Sequence, residues 1–535
     1  MTSKIINHKN YTQFQDSYQL VLPLNLEGLI PDDDSVRLLS HVLEGLDYTE
    51  LYAAYSSKGR KPALEPITMF KILVYAYSEN IYSSREVEKS CRRDINFRWL
   101  LAGAPAPDHS TIDRFRHIYA AAAIEGLFYQ LVNALHSAGE VSYKNVFIDG
   151  TKIEANANRY SFVWKKAVLK NEAKMHDKAM TLIDAVNHDY MQEFTFNAET
   201  AGHDLDAVFS FLGAECIRQG ITFVYGSGHR PCKLQKQHDE AKAYVERQHN
   251  YDLSRSRFEG RNSYSKTDTD ATFMHMKEDH MMNGQLKPGY NLQIGVEAEY
   301  ITGVGVFSDR NDLHTLKPML ENMKERSGHK YQSVTADSGY ESEEGYVYLD
   351  DNGQKAYIKP QTYEKWKKKS FRNDIGRREN MPYDAEKDEY TCHFGRKLTF
   401  RYTGRSKSSS GFVSETSHYE CEGCSGCPFK GKCTKSSGNR KICVSKEFIR
   451  YRQQSYENIM SETGTLLRMN RSIQVEGAFG VLKSDYQYKR FLTRGKTNVK
   501  TEFLFLVIGY DINKLHSRIQ GDRLKESLHP LKKTA

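Results

Sequence analysis

The sequence predicts an α/β protein, a mixed sheet with helices packed on its faces, preceded by a helical region and interrupted by two insertions. Three observations carry this. Val146-Phe147-Ile148 is a β-branched and aromatic run that closes on Asp149 and Gly150, the pattern of a buried strand. Between 289 and 360 the pattern changes period repeatedly. Residues 289–296 and 300–307 alternate as a hairpin, 311–325 carry apolar residues at helical spacing, and a short strand ends at Asp337. A helix through Glu343 and Tyr346 and a strand over 355–360 follow, and this order fits a mixed sheet covered by helices. The third observation is helical patterning on either side of the first strand, in residues 1–140 and 165–261.

Composition narrows the class. At 535 residues the chain has room for three or four domains, or for one core with large insertions. Its 39% apolar and 12% aromatic content argues against disorder. The net charge of +8 is a mild excess, so any surface for a polyanion must come from local clustering. No run approaches the ~20 apolar residues of a membrane span, and 503–508 fits one buried strand or helix turn. Residues 1–11 are polar, so no export signal is expected, and five of nine cysteines fall between 421 and 443. That clustering favours a metal site over disulfides and places the protein in the cytoplasm, with no membrane partner.

In the first 140 residues, 36–43 and 67–77 read as helices, with Pro66 near the start of the second. Ser84 is placed to cap 85–93, another turn or two covers 95–101, and Asp108 or Ser110 opens a helix carrying Arg114, Arg116 and His117. Short helices with basic faces resemble a helix-turn-helix, which points to DNA; the plainer alternative is a bundle with solvated arginines. Residues 165–191 and 235–257 are amphipathic and form a helical insertion. Cys421, Cys424, Cys427 and Cys433 follow a C-x2-C-x2-C-x5-C pattern suited to a structural zinc, with iron–sulfur ligation the weaker fit. Cys392 or Cys443 is placed to substitute for one ligand, and unliganded thiols are the bland reading.

Asp149 and Asp337 are two strand-end aspartates, each followed by a glycine within two positions, and a carboxylate there is costly unless a cation meets it. The repetition points to one metal site assembled from distant segments. Residues 471–483 read as a helix with Ile473, Phe479 and Leu482 inward, and Glu476 and Lys483 share a face across two turns. Glu476 is either a surface partner of Lys483 or a third acid. Tyr486, Tyr488, Lys489, Arg490, Arg494 and Lys496 follow, cations interleaved with aromatics as a nucleic-acid groove requires.

With these residues in hand, the chain resembles the bacterial insertion-sequence transposases of the DDE type, which have a ribonuclease H-like catalytic core. The likeness rests on F-I-D-G-T-K-I-E-A-N-A-N at 147–158, A-D-S-G-Y at 336–340, the cysteine-rich insert, and E-G-A-F-G-V-L-K at 476–483, in this order. The resemblance implies that Asp149, Asp337 and Glu476 are the three catalytic acids holding Mg²⁺ or Mn²⁺, with Lys483 the family's lysine. Arg471 stands one position off the family's arginine, and no tyrosine occupies the family's tyrosine position. The implied activity is cleavage at the element's ends and transfer of the 3′-ends into target DNA by two-metal phosphoryl transfer. The implied partner is double-stranded DNA, both terminal inverted repeats and target, bound by a homodimer. Candidate DNA contacts are Arg114, Arg116, Arg471, Lys489, Arg490 and Arg494. The expected layout is a DNA-binding helical domain over 1–140 and a catalytic core from 141–164, 262–360 and 456–516. A helical insertion over 165–261, a basic and cysteine-rich insertion over 361–455 and a basic tail over 517–535 complete it. Two alternatives are a DNA-binding protein of this fold that does not cut, and a nuclease without strand transfer.

Overall fold

The structure is a computed structural model that describes residues 26–55, 62, 64–226, 228, 230–276, 284–408 and 410–531; the polar start at 1–11 lies outside them. The apolar run at 146–148 sits in β1 (Asn145–Glu154), with all three side chains fully buried. β2 (Phe162–Trp164) and β3 (Ser263–Ser265) pair with each other across the helical insertion. β4 (Thr272–His275), β5 (Leu286–Glu297), β6 (Tyr300–Phe307), β7 (Ser333–Ala336) and β8 (Lys355–Ile358) complete the main sheet with β1.

β5 lies antiparallel to β1, with β6 and the short β4 antiparallel along its outer edge, whereas β7 is parallel to β1 and β8 to β7. The order β6–β5–β1–β7–β8, three antiparallel strands then two parallel ones, is the ribonuclease H-like mixed sheet. The β5–β6 turn is two residues, Ala298 and Glu299, both at positive φ (52° and 67°), the twist a tight hairpin demands.

The run at 503–508 is neither a strand nor a single turn. It is the middle of the 25-residue helix Lys496–Gln520, buried throughout 501–512. This helix packs on β6 and also on the helices Pro66–Ser78 and Ala121–Ser137. The Phe505 ring lies 5.4 Å from Phe70 and 5.7 Å from Tyr77. A Cβ at Gly509 would sit 3.1 Å from the Val74 carbonyl, so glycine lets the two backbones approach. The N-terminal helices therefore share one continuous hydrophobic core with the sheet. The same helix runs to Gln520, so the first residues expected in a basic tail are helical. The stretch 109–137 is long and apolar enough for a membrane span by composition, but half of its most apolar window is buried inside the protein.

The helical insertion contains Lys165–Tyr190, Lys233–Phe258 and a further helix, Ala201–Arg218, around a core of its own that includes Leu182, Leu212 and Tyr244. Residues 361–455, the basic and cysteine-rich insertion, hold a five-stranded antiparallel sheet that the sequence pattern does not announce. Its strands are β9 (Tyr383–Asp384), β10 (Glu389–Thr391), β11 (Lys397–Lys407), β12 (Val413–Cys421) and β13 (Lys441–Val444), in the order β13–β12–β11–β10–β9. Their exposed, polar faces erase the hydrophobic alternation that sequence reading relies on.

Candidate functional site

The register of the parallel pair builds the site. β7 pairs with β1 from Asn145↔Ser333 to Ile148↔Ala336 and then ends, while β1 continues six residues further to Glu154. Asp149 and Asp337 are the next residues on each strand, so pairing of the two apolar runs sets the two carboxylates side by side. They stand where β7 ends, at the carboxyl end of parallel strands, where sheets of this kind hold ligands. Asp149 is thus a mid-strand residue at an opening in the sheet. Asp337 Oδ1 accepts the Gly339 amide at 2.8 Å, and Asp149 Oδ1 accepts the Gly150 amide at 2.8 Å.

Arg471 closes the pair from the other side. Its Nη2 lies 3.4 Å from Asp149 Oδ2 and 3.8 Å from Asp337 Oδ2, and its side chain is 14% exposed. It comes from the helix Glu462–Gly480, which packs across β1, β5 and β7. That helix buries Leu467, Asn470, Gln474, Val475 and Ala478, and Gln474 Oε1 accepts the Glu299 amide at 3.0 Å, pinning it to the hairpin turn. Ile473, expected inward, is 43% exposed, because the sheet-facing stripe runs through Arg471, Gln474, Val475 and Ala478. Gly464 sets the angle with the preceding helix, Lys446–Met460. A Cβ there would lie 2.0 Å from the Asn458 carbonyl.

Glu476 rides the same helix, roughly 140° around the axis from Arg471 at 100° per residue, and is exposed. Among the described residues no three His, Cys, Asp or Glu side chains stand in a metal-holding group. The structure brings Asp149 and Asp337 together and leaves Glu476 facing solvent. The regular helix stops at Gly480 and Lys483 sits on a π-helical turn, Val481–Asp485, so seven-residue face arithmetic does not hold for Glu476 and Lys483. Single π turns inside helices recur at functional sites.

A third aspartate that sequence reading passed over stands beside the pair. Asp312, in a 3₁₀ turn after β6, accepts Asn291 Nδ2 and Gln293 Nε2, both at 2.8 Å. A Cβ on Gly339 would lie 3.0 Å from Asp337 Oδ1 and 3.3 Å from Asp312 Oδ2, so both carboxylates flank this glycine. Burial, then Asp312, Asp149 and Asp337, hold the Tyr340 phenol well above its ordinary pKa, against the pull of Arg471. Asp312 precedes a helix, where an aspartate is an ordinary capping residue, and no local signal separates it from one.

The expected DNA contacts divide. Arg116 is 4% exposed and donates to Tyr77 Oη, the Tyr82 carbonyl, Ser84 Oγ and Asp113, which makes it an interior clamp and not a DNA contact. Arg471 is likewise taken up by the two aspartates. Arg114 lines an open cleft with Arg85, His109 and His117. Lys489 is exposed. Arg490 is half-exposed near Glu154, and Arg494 donates to the Asn156 carbonyl at 2.8 Å. The helix Ser84–Arg93 starts at Ser84, one position earlier than expected, and follows Ser83 without a side-chain capping bond, while Asp108 caps the helix His109–Arg114 by accepting the Thr111 amide at 2.8 Å.

The cysteines are all unpaired thiols. Burial and the nearby Cys424 and Cys392 push Cys421 up to about 11. Burial likewise raises Cys433, with Cys392, Cys424 and Cys427 contributing and Arg440 opposing. Cys392 packs against the small core that holds Cys421 and Cys424, and among the described residues no three of these cysteines stand close enough together to form a metal-holding group. Cys443 stands apart, because it pairs across the ladder with His418, three residues and so one strand face away from Cys421, with its Sγ 3.2 Å from His418 Nδ1.

Two family models match this chain. One, described as a transposase DDE domain, covers residues 391–516, and the other, a transposase domain designated DUF772, covers 24–118. The first contains Glu476, Lys483 and the cysteine cluster; Asp149 and Asp337 lie outside both. No curated protein and no solved structure matches the chain.

Proposed function

We propose that this chain, an insertion-sequence transposase of the DDE type by its two matching domains, cuts double-stranded DNA at the ends of its element and joins the freed 3′-ends to target DNA. The observation that carries this reading is the pairing of Asp149 with Asp337 at the opening where β7 ends. Two carboxylates gathered on one guanidinium form a donor set that suits a divalent cation, since positive charge is already favoured there. Asp149 and Asp337 would hold Mg²⁺ or Mn²⁺, which would supply charge at the scissile phosphate and a nucleophilic oxygen, and Glu476, which faces solvent here, would serve as the third acid once turned toward them. Asp337 and Asp149 fix where that charge sits, because backbone amides orient both. Lys483, on its π turn, holds a phosphate near Glu476, and Arg114, Lys489, Arg490 and Arg494 hold the duplex without reading its bases. Cys421, Cys424, Cys427 and Cys433 would hold a structural zinc that closes the sheet module. A homodimer on DNA would bring two element ends together. The reduced thiols suit the cytoplasm, where DNA is also at hand.

Glu476 facing solvent favours one rival, a protein of this fold that binds DNA without cutting. The test is Asp337→Asn, assayed by cleavage of a labelled duplex copied from the DNA flanking the reading frame, beside a gel shift on the same duplex. Binding is expected to survive while cleavage falls by about 10³-fold or more, with Asp149→Asn and Glu476→Gln alike and double variants little worse than singles. Single variants that cut as well as the parent would refute the three-acid mechanism. A parent that binds and never cuts with any divalent metal leaves the binding protein as the answer.

A further inference from the structure

The net charge of +8 is spread unevenly along the chain. Residues 361–380 hold seven basic and three acidic side chains, and residues 421–440 hold four basic and one acidic. These two short stretches account for most of the excess, and the fold brings them together. The turn at 374–379 and the loop at 431–436 line one open cleft of about 700 Å³, with Arg440 between them. Arg440 donates Nη2 to the Gly376 carbonyl at 2.5 Å. A Cβ on Gly376 would lie 2.7 Å from the Cys433 carbonyl oxygen, so glycine is what lets the two backbones approach.

The acids that line this cleft, Asp374 and Glu379, are already engaged. Asp374 Oδ2 meets Arg377 Nε at 3.1 Å, and Glu379 Oε1 meets Arg378 Nη2 at 3.6 Å. The Arg377 guanidinium also lies 4.4 Å over the Phe371 ring, which fixes it against its own wall. Lys432 and Lys435 are exposed, and among the described residues neither meets a carboxylate. Arg440 is half-buried, and among the described residues its Nε, shielded from solvent, has no hydrogen-bond partner. Two acids held by two arginines leave Lys432, Lys435 and Arg440 as three uncompensated charges along one cleft. A local field of one sign draws the opposite charge, and an open cleft with spaced cations suits an extended polyanion.

We infer that the cleft between 374–379 and 431–436 is a docking surface for the sugar-phosphate backbone of double-stranded DNA, with Lys432, Lys435 and Arg440 as its phosphate contacts. The inference rests on the transposase reading and adds to it a second grip on the duplex, on a different sheet from Asp149 and Asp337. A lysine ammonium is a point charge without the planar fork that matches a base edge, and the Arg440 guanidinium is tied to the Gly376 carbonyl. The surface therefore holds the duplex irrespective of sequence.

The experiment uses the full chain and two fluorescent duplexes, one copied from the DNA flanking the reading frame and one of unrelated sequence. Binding is followed by anisotropy across a salt series. Lys432→Gln and Lys435→Gln are each expected to make the slope of log K against log salt shallower by about 1, the signature of one lost phosphate contact, on both duplexes. Lys432→Arg and Lys435→Arg keep the charge and are expected to restore the parent's slope. Gly376→Ala changes no charge but forces the two walls apart, and is expected to weaken both duplexes severalfold. The pair Lys170→Gln and Lys174→Gln, exposed on the helix Lys165–Tyr190, controls for net charge and is expected to leave the slope unchanged. Circular dichroism confirms folding, and if Gly376→Ala is not folded the exposed lysines carry the test alone. Unchanged slopes in the cleft variants, or an equal loss in the control pair, overturn the inference while the transposase reading stands. A loss confined to the flanking duplex would make the cleft a reader of bases and also overturn it. A parent that neither binds nor cuts the flanking duplex instead defeats the transposase reading itself.

Discussion

Asp511 is a carboxyl with almost no water to solvate it. It sits in the Lys496–Gln520 helix at 0% exposure, Oδ1 accepts the Ile301 amide at 2.8 Å, and Oδ2 has no hydrogen-bond partner. Burial drives its pKa well above the ordinary value of 3.8, with the Ile301 amide and Lys514 pulling the other way. The folded state therefore binds this proton more tightly than the unfolded chain does. Protonation favours folding, so Asp511 weakens the fold progressively as pH rises from about 4 towards the raised folded pKa, and the full cost is present above it. Asp511→Asn keeps the shape and the acceptor without the charge. We expect it to stabilise the protein at pH 8 by about 1–3 kcal/mol, the scale of an unsatisfied buried polar group, and to have little effect near pH 4. Melting temperatures of both proteins across that range check the prediction, and a gain that is independent of pH would show that charge is not the cause. Arg471 presents the reverse case. Its guanidinium is the counter-charge that lets two aspartates lie together before any cation arrives, and its Nε, buried without a hydrogen-bond partner, shows how far it is committed to that place.

At the scale of elements, the cysteine module is a sheet that has little core of its own. Its buried residues are few, among them Leu398, Tyr419, Ile442 and Val444, and such small cores generally need a staple. Purified protein is expected to carry one zinc per chain. Cys421→Ser or Cys424→Ser should lose it and expose 383–444 to protease, while the main thermal transition, which belongs to the core around the Lys496–Gln520 helix, moves little. Elemental analysis and limited proteolysis check this, and metal-free protein with nine titratable thiols would end the zinc reading. DNA grip should suffer before cleavage chemistry does, because Asp149 and Asp337, the aspartates proposed to hold the metal, come from a different sheet.

The whole molecule is a sheet with segments inserted into it, and the insertions differ in their independence. The helical insertion has its own core, and its ends meet in the β2–β3 ladder, where Trp164 stands opposite Ser263 and Lys165 donates its amide to the Asn262 carbonyl at 3.0 Å. Replacing residues 166–261 by a short glycine-containing turn is therefore expected to leave a folded, cooperatively melting protein with lower helical content. Loss of cooperative melting in that shortened chain, measured by calorimetry and circular dichroism, would show that the insertion supports the core. The N-terminal helices differ, since they share their core with the Lys496–Gln520 helix. Removing them should unfold the sheet.

The sequence by itself determined the elements whose signal is local. β1, β5, β6, β7 and β8 announce themselves by period and β-branching, the two long insertion helices by their apolar stripe, and Asp149 and Asp337 by standing after matching apolar runs. Tertiary structure decided what depends on partners distant in sequence. The run at 503–508 became a helix because surrounding helices and β6 bury it on every side, and burial from all sides removes the periodicity that separates helix from strand. Arg116 and Arg471 carry the same charge as Arg114, and only packing turned the first two inward. Asp312 joined the aspartates through Asn291, Gln293 and Gly339, contacts that no spacing rule encodes. Register and packing are sums over many weak interactions along the whole chain, which is why they become visible only once the chain has folded.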